Sequence, residues 1–456
     1  MFEAGVSRIR SWSRAQWCLG AVTGLIILFT ALLAYYYQYT GLMQTRPNLI
    51  RALVGGCVLL AAILFFGPPL LHTILLYVFY LLFMLELFLQ ILAFFGRLPG
   101  VTTAEYGPYS RVYTATGNSI SNKYGWYAKP FALEEGSHRV ALIGDSFIHS
   151  PYTNPGQNMS VPLERLLNEH GAGKTEVLPL GVSGTGPAYY LEILRYARHT
   201  LKADEAVIFV TIVNDFMNSS LDLQPPWWSP SIYIYYGEQA DGSIVFDPRS
   251  EPARYRFTQE LKLNHRGLFL NLARTLRTHL FLEKAVKIPL DRWRQRVNAF
   301  NAQKTAGSDV VIPLGGQKEL FETPMSPEVK KSVRIGLGVL KLCDEFARKE
   351  GMTLRLVVVP LFPSKFYETY GPSDSRDWSL QFGRHDFMAP EKAVAAFGKA
   401  NGIPVLETAR YMREKKLSAR EIQKLFFEEG TGHFTPAGHE FMARAVYERF
   451  FRPVPR

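Results

Sequence analysis

Ser146 stands next to last in the run Arg139-Val-Ala-Leu-Ile-Gly-Asp-Ser-Phe147. A short apolar run that stops at Gly144-Asp145 reads as a buried strand ending in a tight turn. Such a turn presents the serine hydroxyl at the carboxyl end of a sheet, where open α/β folds keep their ligand sites. A hydroxyl becomes a useful nucleophile when a neighbouring base takes its proton. His433 is the candidate base, in Gly430-Thr-Gly-His-Phe-Thr-Pro-Ala-Gly-His439. There Thr435 reads as an N-cap and Pro436 as the first residue of the last helix. Two donors complete the set. Gly184, in Thr175-Glu-Val-Leu-Pro-Leu-Gly-Val-Ser-Gly-Thr-Gly186, lets a backbone N–H approach a substrate oxygen closely. Asn214, at the end of Ala206-Val-Ile-Phe-Val-Thr-Ile-Val-Asn-Asp215, brings an amide for a developing oxyanion.

These four segments, in this order and each at a strand or loop end, resemble the SGNH/GDSL hydrolase superfamily over roughly residues 115 to 450. The resemblance implies a three-layer α/β/α (flavodoxin-like) domain with a parallel sheet. It further implies Ser146 as nucleophile and His433 as base. The Ser146 and Gly184 N–H groups and the Asn214 side chain would form the oxyanion hole. In one respect the chain departs from the family. An aspartate two or three residues before the histidine would fix the imidazole tautomer, and here Thr431 and Gly430 occupy those positions. Three arrangements stay open: Glu429 as the acid with Glu428 in reserve, a Ser–His dyad, or a domain that binds without turnover.

Neighbouring residues compete for these roles. Ser183 lacks the second glycine of a Gly-x-Ser-x-Gly elbow and reads as structural. His149 reads as a local surface residue, and His439, on the last helix, is the reserve base. Asp145 and Asp215 are expected to bond backbone groups in their own turns. No Cys or His spacing suits a metal, and no cofactor is expected. Cys18, Cys57 and Cys343 imply no disulfide framework.

The elements that must position these residues alternate as βαβ units, with helices over 164–170, 187–199, 326–351 and 390–401 and a further strand over 354–360. An insertion spans 221–325. It opens on Pro225-Pro-Trp-Trp-Ser-Pro230 and continues as a hairpin turning near Asp241-Gly242. Trp227, Trp228 and Tyr233 are candidates for a sugar-binding platform, set against plain packing of the insertion onto its parent domain.

Ahead of the 139–456 domain and a 97–138 linker and lead-in, the 17–96 region holds two almost wholly apolar runs, 17–38 and 52–95. Their length and the break at Gly67-Pro68-Pro69 predict about three transmembrane helices, over 17–38, 50–67 and 69–96. A re-entrant hairpin or one kinked span over 52–95 is the alternative. Arg8, Arg10 and Arg14 before the first span favour a cytoplasmic tail over 1–16 and hence a periplasmic or extracellular domain. Glu86 and Gln90 share a face of the last span and suit contact with a partner or with the protein's own helices. His72, near the proline break, reads as interfacial. The formal charge is +11, of which +8 falls beyond residue 96. That balance suits an anionic glycan or membrane surface as much as plain solvation, and nothing patterns for nucleic acid.

By resemblance to membrane-tethered relatives, the expected substrate is an acylated envelope glycan, with ester, mainly O-acetyl, groups hydrolysed or transferred. Membrane lipids and a membrane acyltransferase are the expected partners. A lipase or lysophospholipase acting on lipid esters, and an inactive glycan-binding subunit of a membrane assembly, are the alternatives.

Overall fold

A computed structural model describes residues 12–40, 47–94, 111–114, 117–171, 173–212, 214–221, 224, 230, 233–263, 320–359, 381–382, 385–386, 388–427 and 432–452. The chain divides into two compact units, residues 1–107 with 255–309, and residues 108–254 with 310–456.

In the first unit the apolar run folds as α1 (Arg14–Thr40), α2 (Pro47–Phe66) and α3 (Pro69–Phe94). Pro47 and Pro69 occupy first helical positions, where the missing N–H costs nothing. Stretches 14–38 and 69–91 are long and apolar enough to cross a membrane, while the apolar part of α2 is shorter. Leu33, Tyr36 and Tyr37 of α1 pack with Leu53 of α2, whereas Leu81, Phe83 and Phe88 of α3 stay exposed. Gln90 donates to Glu86 Oε1 at 2.7 Å, one turn away on the same helix. His72, only 1% exposed, bonds the Ile63 carbonyl at 2.9 Å across the proline break.

The second unit begins with an antiparallel pair, β1 (Arg111–Thr114) and β2 (Gly117–Ile120). There follow β3 (His138–Gly144), α4 (Ser146–His149), α5 (Ser160–His170), β4 (Thr175–Gly181), α6 (Pro187–His199), β5 (Glu205–Thr211) and α7 (Asp215–Ser219). The hairpin expected in the insertion is β6 (Tyr236–Glu238) against β7 (Ile244–Phe246), turning through Gly242 at φ +81. The helix α8 (Glu251–Leu263) starts in this unit and runs on into the segment 255–309 of the first. The second unit resumes with α9 (Pro327–Lys349), β8 (Thr353–Val359), the short pair β9 (Gln381–Phe382) and β10 (His385–Asp386), and α10 (Ala389–Asn401). The chain closes with β11 (Val405–Glu407), α11 (Thr408–Glu414), α12 (Ala419–Gln423) and α13 (Pro436–Val446).

Five strands form one parallel sheet in the order β11-β8-β5-β3-β4. Their inner residues are uninterrupted apolar runs because helices cover both faces. Val140, Leu142, Val207, Phe209, Val357 and Val359 pack one face into a cluster with α5 and α13. The alternate residues, such as Ile143, Ile208 and Val358, are equally buried and face the α6 and α9 side. The α/β/α architecture expected from the sequence is therefore present. After β3 the chain turns to β4, and after β5 it turns the other way to β8. The crevice at this reversal lies between the carboxyl ends of β3 and β5.

Candidate active site

Both walls of that crevice carry expected site residues. β3 ends at Gly144, and Asp145 caps α4 by accepting from Phe147 N at 3.0 Å. Ser146 is thus the first residue of a four-residue helix, where a backbone N–H has no intrahelical acceptor. Across the crevice, β5 ends at Thr211 and Asn214 caps α7. Asn214 Nδ2 donates to Asp145 Oδ2 at 3.1 Å, which fixes the side chain with one of its two amide hydrogens. Gly184 follows β4 with φ +71 and open space where a Cβ would stand. Glycine is required there for its backbone, not for room.

His433 arrives from the far end of the chain. Phe426 and Phe434 form an isolated bridge, Phe427 N donates to the His433 carbonyl at 2.8 Å, and Thr435 N donates to the Leu425 carbonyl at 2.9 Å. Phe434 is 1% exposed and anchors this loop in the core. Thr435 Oγ1 accepts from Gly438 N at 3.1 Å, the expected N-cap. The imidazole Nε2 then lies 2.7 Å from Ser146 Oγ, a distance at which a neutral ring accepts the hydroxyl proton. Ser146 and His433 are brought together, and Asn214 is tied to Asp145 beside them.

Glu428, Glu429, Trp227 and Trp228 lie outside the described residues. Tyr233 is described and half-buried, 6.5 Å from the buried ring of Tyr235. The neighbouring Ile234 N donates to the Tyr189 hydroxyl of α6 at 3.4 Å, so this segment packs onto that helix. Among the described residues no group of His, Cys, Asp and Glu could hold a metal ion.

Two readings need correction. His149 is not a surface residue: it is 3% exposed, and its Nδ1 sits 2.7 Å from Ser183 Oγ. Burial pushes its pKa down to about 3, with His433 adding to the effect. Asp145 and Asp215 do more than bond their own turns. Asp145 also accepts from Thr211 Oγ1 at 2.9 Å, and Asp215 accepts from the Tyr190 hydroxyl at 3.0 Å as well as from Thr211 N. Thr211 therefore joins two buried carboxyls, and Tyr190 reaches that of Asp215 from α6. Burial raises both carboxyl pKa values; for Asp215 the charge of Asp145 adds to this. His439, the reserve base, is 1% exposed with Nε2 at 2.7 Å from Ser150 Oγ, and burial takes its pKa to about 3. It does not contact Ser146. Thr211, Tyr190 and Tyr152, whose ring lies 4.7 Å from that of His433, were not singled out by sequence.

No family model and no curated protein matches this chain. Among solved structures it is similar to a lipase/acylhydrolase from Enterococcus faecalis, at 13% identity over 68% of this chain and 94% of that one, TM-score 0.33. It is also similar to a catalytic mutant of an acetylxylan esterase from Geobacillus stearothermophilus, at 12% identity over 70% and 99%, TM-score 0.33. A third is an alpha/beta hydrolase enzyme from the metagenome of Lake Arreo, at 12% identity over 70% and 97%, TM-score 0.33.

Proposed function

We propose that this chain is a serine ester hydrolase of SGNH type, tethered to a membrane by its apolar helices. The observation that carries the reading is the 2.7 Å contact between Ser146 Oγ and His433 Nε2, at the crevice where the strand order of the parallel sheet reverses. His433 takes the hydroxyl proton as Ser146 Oγ attacks an ester carbonyl. The tetrahedral oxyanion is received by the Ser146 and Gly184 N–H groups and the Asn214 amide. Collapse expels the alcohol, which takes the proton back from His433. A water molecule, or a sugar hydroxyl, then attacks the acyl-enzyme with His433 again as base.

For substrate we favour O-acetyl groups on a cell-envelope glycan. Two apolar helices of spanning length would keep the catalytic domain at the envelope, and the +8 charge beyond residue 96 suits an anionic polymer. The Arg-rich amino end favours a periplasmic or extracellular placement. Transfer in concert with a membrane acyltransferase is the same chemistry with a different acceptor. Glu429 is the candidate acid behind His433, with Glu428 in reserve.

The test is hydrolysis of a p-nitrophenyl ester series by the full chain in detergent and by Ser146→Ala. Acetyl should be preferred over long chains, and activity should fall to background in the variant. Unchanged turnover in Ser146→Ala would sink the mechanism, and preference for long chains would replace the glycan by a lipid ester.

A further inference from the structure

The ring of His433 is flanked by two aromatic side chains. Phe147 lies with its centroid 4.7 Å away and nearly parallel, at 23°. Tyr152 lies at 4.7 Å and 43°. Both distances fall inside the range, about 6 Å, at which an aromatic ring attracts a cation. The supports of the two rings differ. Phe147 is 8% exposed and rests edge-on against the core ring of Phe434 at 4.9 Å. Tyr152 is half-buried and leans on Phe427 at 6.4 Å. Phe147 follows the nucleophile on α4, whereas Tyr152 belongs to the turn beyond α4, after Ser150 at φ 52. The residues that carry the nucleophile's helix thus also grip the base.

We propose that Phe147 and Tyr152 are positioning residues that hold the His433 imidazole against Ser146 and stabilise its imidazolium form, with Tyr152 as the solvent-facing arm of the clamp. The proposal rests on His433 acting as the base. In each half-reaction His433 starts neutral and becomes a cation in the transition state. A ring face beside it lowers the energy of the cation and leaves the neutral imidazole almost unaffected, so the clamp acts on the barrier. It works on the ring rather than on Nδ1 and adds to whatever an in-plane acid supplies.

The sign of the pH effect follows. Stabilising imidazolium raises the His433 pKa, so replacing Tyr152 by an aliphatic residue lowers it. Titratable groups that face the ring include His149 at the α4 end and His439 on α13, and Asp145 lies beside Ser146. Both of these histidines are neutral above about pH 4, their pKa values standing at about 3. Glu428 and Glu429, a few residues before His433 in sequence, are the same in every variant compared.

The experiment is an NMR titration of 13C-labelled histidine in the full chain in detergent, in a Ser146→Ala background, with the His433 resonance assigned by its loss in His433→Gln. Tyr152→Leu and Tyr152→Gln should each lower the His433 pKa by about half a unit to one unit, while Tyr152→Phe leaves it in place. With Ser146 intact, the acid limb of kcat/KM should move to lower pH by the same amount, and plateau kcat should fall about 3- to 10-fold. A Tyr152 that merely packs the loop would lower kcat without moving the titration. Equal His433 pKa values in all variants, or an upward shift in Tyr152→Leu, overturn the clamp. Should wild-type protein hydrolyse no ester, the proposed function fails, yet the ring titration still decides whether the clamp exists.

Discussion

Gly181→Ala should damage catalysis severely although Gly181 touches no substrate. A Cβ built at this last residue of β4 would stand 2.0 Å from His149 N, 2.5 Å from the Ile148 carbonyl carbon and 2.7 Å from His149 Cα. These are backbone atoms of α4, so no side chain can rotate away. Ordinary contact begins near 3.4 Å, and about 1.4 Å of separation must therefore be opened. Either of two routes relaxes the clash. If α4 moves, Ser146 moves with it, since the helix has only four residues, and the 2.7 Å contact with His433 is lost. If the edge strand β4 moves, it carries the loop that ends in Gly184. A displacement of about 1 Å at reacting groups costs on the order of 100-fold, so kcat should fall about that much with KM little changed. Overpacking should also lower stability by about 1–3 kcal/mol. The control is Gly184→Ala, where the Cβ meets nothing within 4 Å and only the φ of +71 is strained, worth about 1–2 kcal/mol. Turnover of p-nitrophenyl acetate alongside thermal melting measures both effects. A folded Gly181→Ala protein with wild-type kcat would show that contact between β4 and α4 does not set the nucleophile's position.

Two further outcomes are expected. Asn214→Ala removes an oxyanion donor and also a hydrogen bond to Asp145. Its kcat should fall about 10²- to 10³-fold with KM nearly unchanged, and a mainly KM effect in steady-state kinetics would assign Asn214 to ground-state binding instead. Glu391 on α10 is 1% exposed, and burial, helped by the charge of Glu407, pushes its pKa up to about 7 from 4.5. The folded state therefore keeps a proton that the unfolded chain releases. The stability this provides is complete below about pH 4.5 and is lost as pH rises to 7, by about 3 kcal/mol at most. Glu391→Gln should thus melt well above wild type at pH 8 and close to it at pH 4.5; an equal shift at both values rules out this titration.

Much of the sheet could be read directly, for a physical reason. A parallel strand covered on both faces has to be an uninterrupted apolar run. Those runs stop at Gly144, Gly181 and Thr211, so Ser146, Gly184 and Asn214 were placed at the same sheet edge without knowing the strand order. Ser326 caps α9 as expected by accepting from Val329 N, because a serine three residues before a free N–H is a local signal. By contrast α5 begins at Ser160, earlier than the periodicity indicated, because Pro162 falls within the first turn, where proline is tolerated.

What surrounds the base and the oxyanion donor was not readable, because it depends on which elements become neighbours. Nothing near Tyr190 in sequence indicates that its hydroxyl reaches Asp215 from another helix, and Tyr152 lies in a turn with no periodic pattern. His149 shows the reason most clearly. Three residues beyond the nucleophile, it reads from sequence as a local surface histidine. It is buried because Gly181 has no Cβ and lets α4 settle directly onto the end of β4. One missing side chain thereby seats the nucleophile's helix and brings the His149 imidazole to Ser183, next to Gly184. The burial of His149 and the placement of Ser146 are two results of a single backbone approach, which is why Gly181→Ala should disturb both at once.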